Sequence, residues 1–331
     1  MAKPGIMNKS IRVLTCILFL AFSLSASIND SGNPNTGQND DTKNQTGFTV
    51  SVPSEYLKAA TNQGSVARVD YESKDYVRDS SDVTKTAYVY LPYGYDEKDP
   101  DTQYDILYLM HGLGGHAGDY FDYGTNKNMF DRLIEDKVIK PTIIVSATFY
   151  NQNSSRDFGS STRELRLFHL DFENHLMPAI EGKFHTYAES TSKEDLKLSR
   201  NHRAFGGFSL GSVTTWMTFC YDADYIRSFL PMSGSCWYYG GYGDYYPKET
   251  ADFFEKLIAE KSLNERGYFI YVATGTQDAV RDQVYIQMDE MLDRKDVFTP
   301  DHVVFYQKEG GRHDFVAVQE YIYNAFPLLF K

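Results

Sequence analysis

From residue 48 onward, short apolar segments typical of β-strands alternate with segments that carry apolar residues at helical spacing. Parallel strands need a crossover connection, and a helix usually supplies it. This alternation therefore predicts an α/β fold with a mostly parallel central sheet and helices on both faces. The predicted strands are 65–71, 85–91, 104–110, 142–147, 203–208, 228–232, 268–273 and 302–306. The predicted helices are 129–138, 164–180, 212–220, 251–258, 282–292 and 315–329.

The first 47 residues do not share this pattern. A basic start that ends at Arg12 precedes an apolar run and then small residues, which is the layout of a secretory signal peptide over 1–26. The apolar run is shorter than the roughly 20 residues of a membrane-spanning helix. Residues 27–47 are almost entirely polar and predict a flexible low-complexity linker. The domain is predicted to span 48–331, and we expect the protein to be secreted or extracellular.

The charge balance narrows the range of partners. Asp and Glu number 45 against 33 Lys and Arg, so the formal net charge is −12. An acidic chain without a basic patch argues against binding to nucleic acid, and against binding to anionic membranes once the signal peptide is removed.

The strongest local motif is the pentapeptide over 207–211, Gly-Phe-Ser-Leu-Gly. It follows a predicted strand and opens a predicted helix, which is the setting of a nucleophile elbow. The turn is so tight that side chains at Gly207 or Gly211 would clash. Ser209 would be exposed at the carboxyl edge of the sheet, where open parallel sheets place their sites. Ser209 is thus the predicted nucleophile of an α/β-hydrolase fold.

A serine hydroxyl needs a base to take its proton. His313 follows the last predicted strand and is the only histidine after Ser209 that lies at a strand's carboxyl end. The acid that orients the base should follow the preceding strand, where Asp278 stands. Asp282 is the alternative, but it falls in the first turn of the next predicted helix. The predicted catalytic set is Ser209, Asp278 and His313.

Two backbone N–H groups are expected to stabilise the oxyanion. One belongs to Leu210, the residue after the nucleophile. The other is assigned to Leu113, within one residue either way, in the loop His-Gly-Leu-Gly-Gly over 111–115. This loop is similar to the HGGG motif of esterases. His111 and Gly112 are predicted to border the substrate there.

The chain resembles the esterase D and feruloyl esterase group, carbohydrate esterase family one. Four stretches carry the resemblance: 89–96, 111–115, 206–211, and 275–278 with the later His313. Together they span nearly the whole predicted domain. The resemblance implies a serine carboxylesterase that needs no metal or cofactor and often removes feruloyl or acetyl groups from plant xylan.

Aromatic residues after two strands suggest how the acyl group is held. The loop after 228–232 is rich in glycine and aromatic residues, which suit a phenolic acyl group or sugar faces. The predicted contacts are Phe149, Tyr150, Trp237, Tyr238 and Tyr239. Cys236 in this loop and Cys220 at the end of the preceding helix are expected to lie about 15 Å apart by helix rise. A disulfide between them is therefore not expected.

The leading functional hypothesis is a secreted feruloyl esterase that releases hydroxycinnamic acids from plant cell-wall xylan. Its substrate would be an ester of the polysaccharide or a small aromatic ester. The same fold also serves acetyl xylan, siderophore or polyester esterases, and an acyltransferase would use the same acyl-enzyme. A non-catalytic carbohydrate-binding protein is the alternative from another class.

Overall fold

A computed structural model describes residues 48, 51–122, 125–240 and 245–331. The predicted signal peptide and all of the predicted linker lie outside the described residues. One eight-stranded sheet organises the domain. Its strands are β1 (Ser65–Lys74), β2 (Asp82–Leu91), β3 (Asp105–Met110), β4 (Thr142–Ala147), β5 (Arg203–Phe208), β6 (Ser228–Met232), β7 (Phe269–Gly275) and β8 (Val303–Lys308).

The order of the strands across the sheet is β1-β2-β4-β3-β5-β6-β7-β8. β1 pairs antiparallel with β2, and β2 pairs antiparallel with β4. All remaining neighbours are parallel. Because these six strands run in one direction, the loops after β3, β4, β5, β6, β7 and β8 meet at one edge of the sheet, which we call the active edge.

Helices cover both faces of the sheet, and the period-two alternation of buried side chains explains why. The helices are α1 (Asp119–Asp122), α2 (Asn126–Glu135), α3 (Phe158–Asp171), α4 (Met177–Glu181), α5 (Lys193–Leu198), α6 (Leu210–Asp222), α7 (Pro247–Glu260), α8 (Leu263–Arg266), α9 (Arg281–Leu292) and α10 (Phe315–Ala325). In β3, Tyr108 packs into the core of one face, with α3, α6, α7 and α9, whereas Leu107 and Leu109 pack into the core of the other, with α2 and α10.

The predicted α/β fold is confirmed, and all eight predicted strands are present. The last helix ends earlier than predicted, at Ala325, and a 3₁₀ turn over Phe326–Leu328 follows it. Pro327 lies in that turn and has no N–H to continue the helical bonding. The helix predicted over 164–180 begins earlier and contains a π-helical turn, Phe172–Leu176, between α3 and α4. In the described part of the chain, no helix combines the length and the apolar character that a membrane span requires.

The edge of the sheet opposite the active edge holds Lys331. Lys331 lines a cavity there together with Asp105, which begins β3, and Arg227, which directly precedes β6. The active edge and Lys331 are therefore separated by the length of the strands.

Candidate active site

Ser209 lies in a sharp turn between β5 and α6. Its backbone has φ 59° and ψ −117°, a left-handed conformation that is costly for a residue with a side chain. A Cβ on Gly207 would come within 2.4 Å of the carbonyl oxygen of Gly211, and a Cβ on Gly211 within 2.0 Å of that of Met110. Both positions therefore require glycine. The turn and its two glycines are those of the predicted nucleophile elbow.

Three side chains from three loops of the active edge form one hydrogen-bonded chain. The Nε2 atom of His313 lies 2.9 Å from the hydroxyl oxygen of Ser209. The Nδ1 atom of the same ring lies 2.9 Å from Oδ1 of Asp278. A carboxylate only accepts, so Nδ1 carries the proton and Nε2 is left to accept from the serine hydroxyl. The structure thus joins the three residues that the sequence placed at separate strand ends.

The carboxylate of Asp278 is fully buried beneath His313. Burial alone would raise the pKa of Asp278, but the hydrogen bond and charge of His313 outweigh it and hold that pKa below its usual value. The N–H of Val280 donates to Oδ1 at 2.9 Å and lowers the pKa further. The buried Ser233 hydroxyl has a smaller effect in the same direction. Asp278 is therefore ionised at neutral pH.

Asp282, the alternative acid, is far less suited to the role. It lies in the first turn of α9 with its side chain 77% exposed. Its carboxylate pairs with the adjacent Arg281 at 2.8 Å. The structure therefore places Asp278, and not Asp282, against the imidazole.

Two N–H groups are available beside the serine. Leu210 is the first residue of α6, so its N–H has no acceptor within the helix. Gly112 approaches closely enough that a Cβ on it would lie 3.2 Å from Cβ of Ser209. The loop over 111–115 therefore packs directly on the nucleophile. Among the described residues, neither Leu113 N–H nor Leu210 N–H donates to a protein acceptor.

His111 packs behind this loop and does not face the solvent. Its ring is fully buried, and Nδ1 lies 2.7 Å from the carbonyl oxygen of Gly112. Because a carbonyl only accepts, Nδ1 carries the proton, and Nε2 accepts from the Thr148 hydroxyl at 2.7 Å. Desolvation lowers the pKa of His111 to about 3, so the ring stays neutral. His111 was predicted to border the substrate, but its buried ring instead contacts the backbone of the loop at Gly112.

Phe149 and Tyr150 also lie behind the loop rather than forming an open wall. Both side chains are buried, and both pack against the His111 ring. The Tyr150 hydroxyl accepts a hydrogen bond from Gly114 N–H at 3.1 Å and lies 2.7 Å from the Ser161 hydroxyl. An aromatic residue after a strand can thus fold back into the core, and contact of Phe149 and Tyr150 with the substrate stays a prediction.

The loop after β6 lies along α6 and carries the other predicted aromatic contacts. Trp237 is mostly buried beside the ring of Phe158. Tyr238 stacks on Phe253 with ring centroids 4.2 Å apart, whereas Tyr239 is 47% exposed. Of the three, Tyr239 presents the most surface to a ligand.

Two exposed apolar residues at the active edge were not predicted as site residues from the sequence. Phe158 begins α3, and Val316 follows His313 by three residues at the start of α10. Phe158, Val316 and Leu113 are exposed apolar side chains, as is the aromatic ring of Tyr239. We call these four residues the apolar rim. Phe158 and Val316 share one pattern in the sequence. Each is an apolar residue in the first turn of a helix that starts from the active edge.

The two cysteines are neighbours, so the expectation that they lie about 15 Å apart is wrong. The loop after β6 runs back along α6, as shown by the hydrogen bond from the Trp216 indole to the carbonyl of Gly234 at 3.1 Å. Cys236 thereby reaches Cys220, and their side chains are within hydrogen-bonding contact. Both thiols are buried and unbridged. Desolvation, followed by the contact with Cys236, raises the pKa of Cys220.

The geometry defines a class of protein. A mostly parallel sheet with helices on both faces, a nucleophile elbow and a Ser–His–Asp chain at the carboxyl edge are the features of serine hydrolases with the α/β-hydrolase fold. Among the described residues, no group of three or more His, Cys, Asp or Glu side chains is arranged to hold a metal ion.

Comparison with known proteins identifies the family. The Esterase family model matches residues 81–323, and the chain belongs to this family. Endo-1,4-beta-xylanase Y of Acetivibrio thermocellus is 32% identical over 285 residues, which are 84% of this chain and 24% of that protein. An endo-1,4-beta-xylanase/feruloyl esterase of Xylanibacter ruminicola is 30% identical over 58% of this chain and 23% of its own length. The chain thus spans about a quarter of the length of these curated relatives.

Solved structures agree with this assignment. An S954A mutant of the feruloyl esterase module from Clostridium thermocellum, complexed with sinapinate, superposes with a TM-score of 0.72 at 32% identity. The match covers 85% of this chain and 93% of that module. A ferulic acid esterase from Anaeromyces mucronatus, in complex with ferulic acid, has the same fold with a TM-score of 0.61 at 17% identity, over 86% of this chain and 97% of that one. In sequence and fold the chain is therefore similar to feruloyl esterases.

Proposed function

We propose that this esterase releases hydroxycinnamic acids from esters of plant cell-wall xylan, with Ser209 as the nucleophile. The observation that carries the proposal is the 2.9 Å contact between His313 Nε2 and the Ser209 hydroxyl, at the edge that also holds the apolar rim. The feruloyl esterase module bound to sinapinate, an aromatic acid, supports the same acyl class. The apolar rim is suited to such an acyl group because flat rings bury large apolar areas.

The proposed reaction proceeds through an acyl-enzyme. His313 takes the proton of Ser209 as the serine oxygen attacks the ester carbonyl, and the oxyanion accepts hydrogen bonds from the N–H groups of Leu210 and Leu113. Asp278 stabilises the imidazolium. The intermediate then expels the sugar alkoxide, which receives the proton from His313. Water, deprotonated by the same imidazole, attacks the acyl-enzyme, releases the acid and restores the Ser209 hydroxyl.

Hydrolysis of methyl ferulate by the purified protein tests this proposal. We expect turnover by the wild type, and a loss of at least about 10³-fold in Ser209→Ala, since the nucleophile is removed. Absence of turnover by the wild type, or unchanged turnover by the variant, would overturn it. Acetylated xylan is the competing substrate. A faster rate per ester on acetylated xylan than on methyl ferulate would assign acetyl, and not an aromatic acid, as the preferred acyl group. Labelling of Ser209 by a fluorophosphonate would separate an enzyme from a non-catalytic binding protein.

We propose further that the enzyme acts outside the cell. The support is the signal-peptide pattern over residues 1–26 in the sequence. Expression of the full chain in a bacterial host, followed by N-terminal sequencing of protein recovered outside the cytoplasm, tests this proposal. A new N-terminus near residue 27 is the expected result, and a protein that stays in the cytoplasm with residues 1–26 intact would refute it.

A further inference from the structure

A polar cavity of about 360 Å³ lies beside the loop that packs on Ser209. Its walls come from β1, β2, the segment after β4 and residues that follow the loop over 111–115. The walls contain the hydroxyls of Thr84, Thr86 and Tyr88, and the amides of Asn151 and Gln152. Hydroxyl and amide groups of this kind pair with sugar hydroxyls, so the cavity is suited to a saccharide.

The charge of the cavity contrasts with that of the chain. Arg68, Lys85 and Arg156 line it, and the described residues of the lining include no Asp or Glu, although the chain has a net charge of −12. Two of these cations already have partners: Arg68 pairs with Asp70 at 3.0 Å, and the buried Lys85 pairs with Asp171 at 2.7 Å. The third, Arg156, is the one that can meet an incoming anion.

Arg156 is held in place without a carboxylate. One of its nitrogens, Nη1, donates to the carbonyl oxygen of Gly115 at 3.2 Å, and its guanidinium lies 5.1 Å from the centre of the Tyr150 ring. Within the part of the chain that the structure describes, this guanidinium forms no ion pair within 4 Å, and the carboxylate that its charge stabilises, Asp119, is a buried one. The remaining N–H groups form a planar fork, which suits the two oxygens of a carboxylate.

The cavity is close to the nucleophile along the chain. Gly112 packs on Ser209, and Gly115 is bonded to Arg156. Three Cα–Cα steps separate the two glycines, so the path is at most about 11 Å. A sugar close to the esterified one on the same polysaccharide can therefore reach the cavity while the ester lies at Ser209.

We propose that this cavity binds a uronic acid residue of the substrate polysaccharide, with its carboxylate on the Arg156 guanidinium. The proposal rests on the proposed function for the source of the sugar. It assigns recognition of the polysaccharide to a different surface from the one that holds the acyl group. Esters on uronate-bearing xylan would then be preferred over esters on neutral xylan.

Isothermal titration calorimetry on the wild-type protein tests the binding without any ester. The probes are a glucuronic acid-substituted xylotriose and the neutral xylotetraose. We expect the acidic oligosaccharide to bind at least about tenfold more tightly, a difference of ~1.4 kcal/mol, and this preference to weaken in 0.5 M NaCl because an exposed ion pair is screened. Equal affinity for the two oligosaccharides, or binding of neither, would overturn the proposal.

Three variants locate the site. Arg156→Gln should remove the preference for the acidic oligosaccharide. Arg68→Gln should reduce it about two- to threefold, because Arg68 lines the cavity but already pairs with Asp70. Arg163→Gln is the matched control, since Arg163 is also an exposed arginine without a carboxylate partner in the described chain but lies outside the cavity. An Arg156→Gln variant that keeps the preference, or an Arg163→Gln variant that loses it, would refute the assignment.

Methyl ferulate separates this proposal from the proposed function. The small ester has no uronate, so its hydrolysis by the wild type reports only on the ester site. Turnover of methyl ferulate without a preference for the acidic oligosaccharide would refute the uronate site and leave the esterase proposal standing. A preference for the acidic oligosaccharide in a protein that does not hydrolyse methyl ferulate would support the uronate site and overturn the esterase proposal.

Discussion

Replacing Asp278 with asparagine tests the proposed acid of the site most directly. Asp278 Oδ1 accepts from both His313 Nδ1 and the N–H of Val280, each at 2.9 Å. An asparagine whose oxygen keeps that position can retain the imidazole orientation, so the variant chiefly removes the negative charge. The buried position of the side chain leaves little solvent to replace it.

The size of the effect follows from the geometry. Two unit charges about 4 Å apart interact by about 4 kcal/mol at the effective dielectric constant of ~20 that suits protein sites. Loss of that stabilisation from the imidazolium in the transition state lowers kcat by about 10³-fold. If the amide instead turns its NH₂ toward His313, the ring takes the wrong tautomer and the loss reaches about 10⁴-fold. The KM should change little because Asp278 does not face the substrate.

Steady-state kinetics on methyl ferulate at pH 7 measure both values. Asp282→Asn is the control, since its exposed carboxylate pairs only with Arg281 among the described residues, and we expect its kcat to stay within about twofold of the wild type. Thermal unfolding of both variants verifies that they are folded. An Asp278→Asn enzyme that keeps a tenth or more of the wild-type kcat, or an equal loss in Asp282→Asn, would refute the assignment of the acid.

Three further predictions concern the frame around the nucleophile. Gly211→Ala should destabilise the fold by at least about 3 kcal/mol in chemical denaturation, because its Cβ would lie 2.0 Å from a carbonyl oxygen of β3, whereas Gly159→Ala meets only a side-chain atom at 3.4 Å and should cost less than about 1 kcal/mol. Tyr150→Phe should cost about 1–2 kcal/mol and lower kcat on methyl ferulate, because Gly114 N–H loses its acceptor; unchanged kcat would show that the loop does not need this bond. The pKa of Asp278 is lowered in the folded protein, so its contribution to stability is present above the unfolded pKa near 3.9 and is lost as the pH falls through the lower folded value. The stability difference between wild type and Asp278→Asn should therefore shrink as the pH falls below about 5, and a constant difference would contradict the pKa direction.

The arrangement of the site was predictable from the sequence because strand ends and glycines constrain the backbone. Once β5 and its two flanking glycines are recognised, Ser209 must stand at the carboxyl edge. His313 and Asp278 follow parallel strands and so must reach the same edge. The choice of Asp278 over Asp282 also follows from position, since Asp278 comes three residues after the end of β7 and Asp282 already belongs to α9.

Side-chain burial after the strands was not predictable in the same way. Phe149 and Tyr150 are apolar enough to pack inward or to line a pocket, and only the position of the His111 ring decides that they pack inward. The contact between Cys220 and Cys236 depends on the path of the loop after β6, and loop paths carry no periodic signal. Arg156 was not singled out either, because its role depends on the cavity beside it.

The position of Lys331 at the edge opposite Ser209 bears on how the protein is immobilised on a solid support. A protein immobilised through the side chain of Lys331 would rest with the beginnings of its parallel strands toward the support. The loops that carry Ser209, Asp278 and His313 would then face the bulk liquid. An insoluble fibre cannot diffuse into the space between the protein and the support. This orientation would therefore matter more for a fibre than for a small soluble ester.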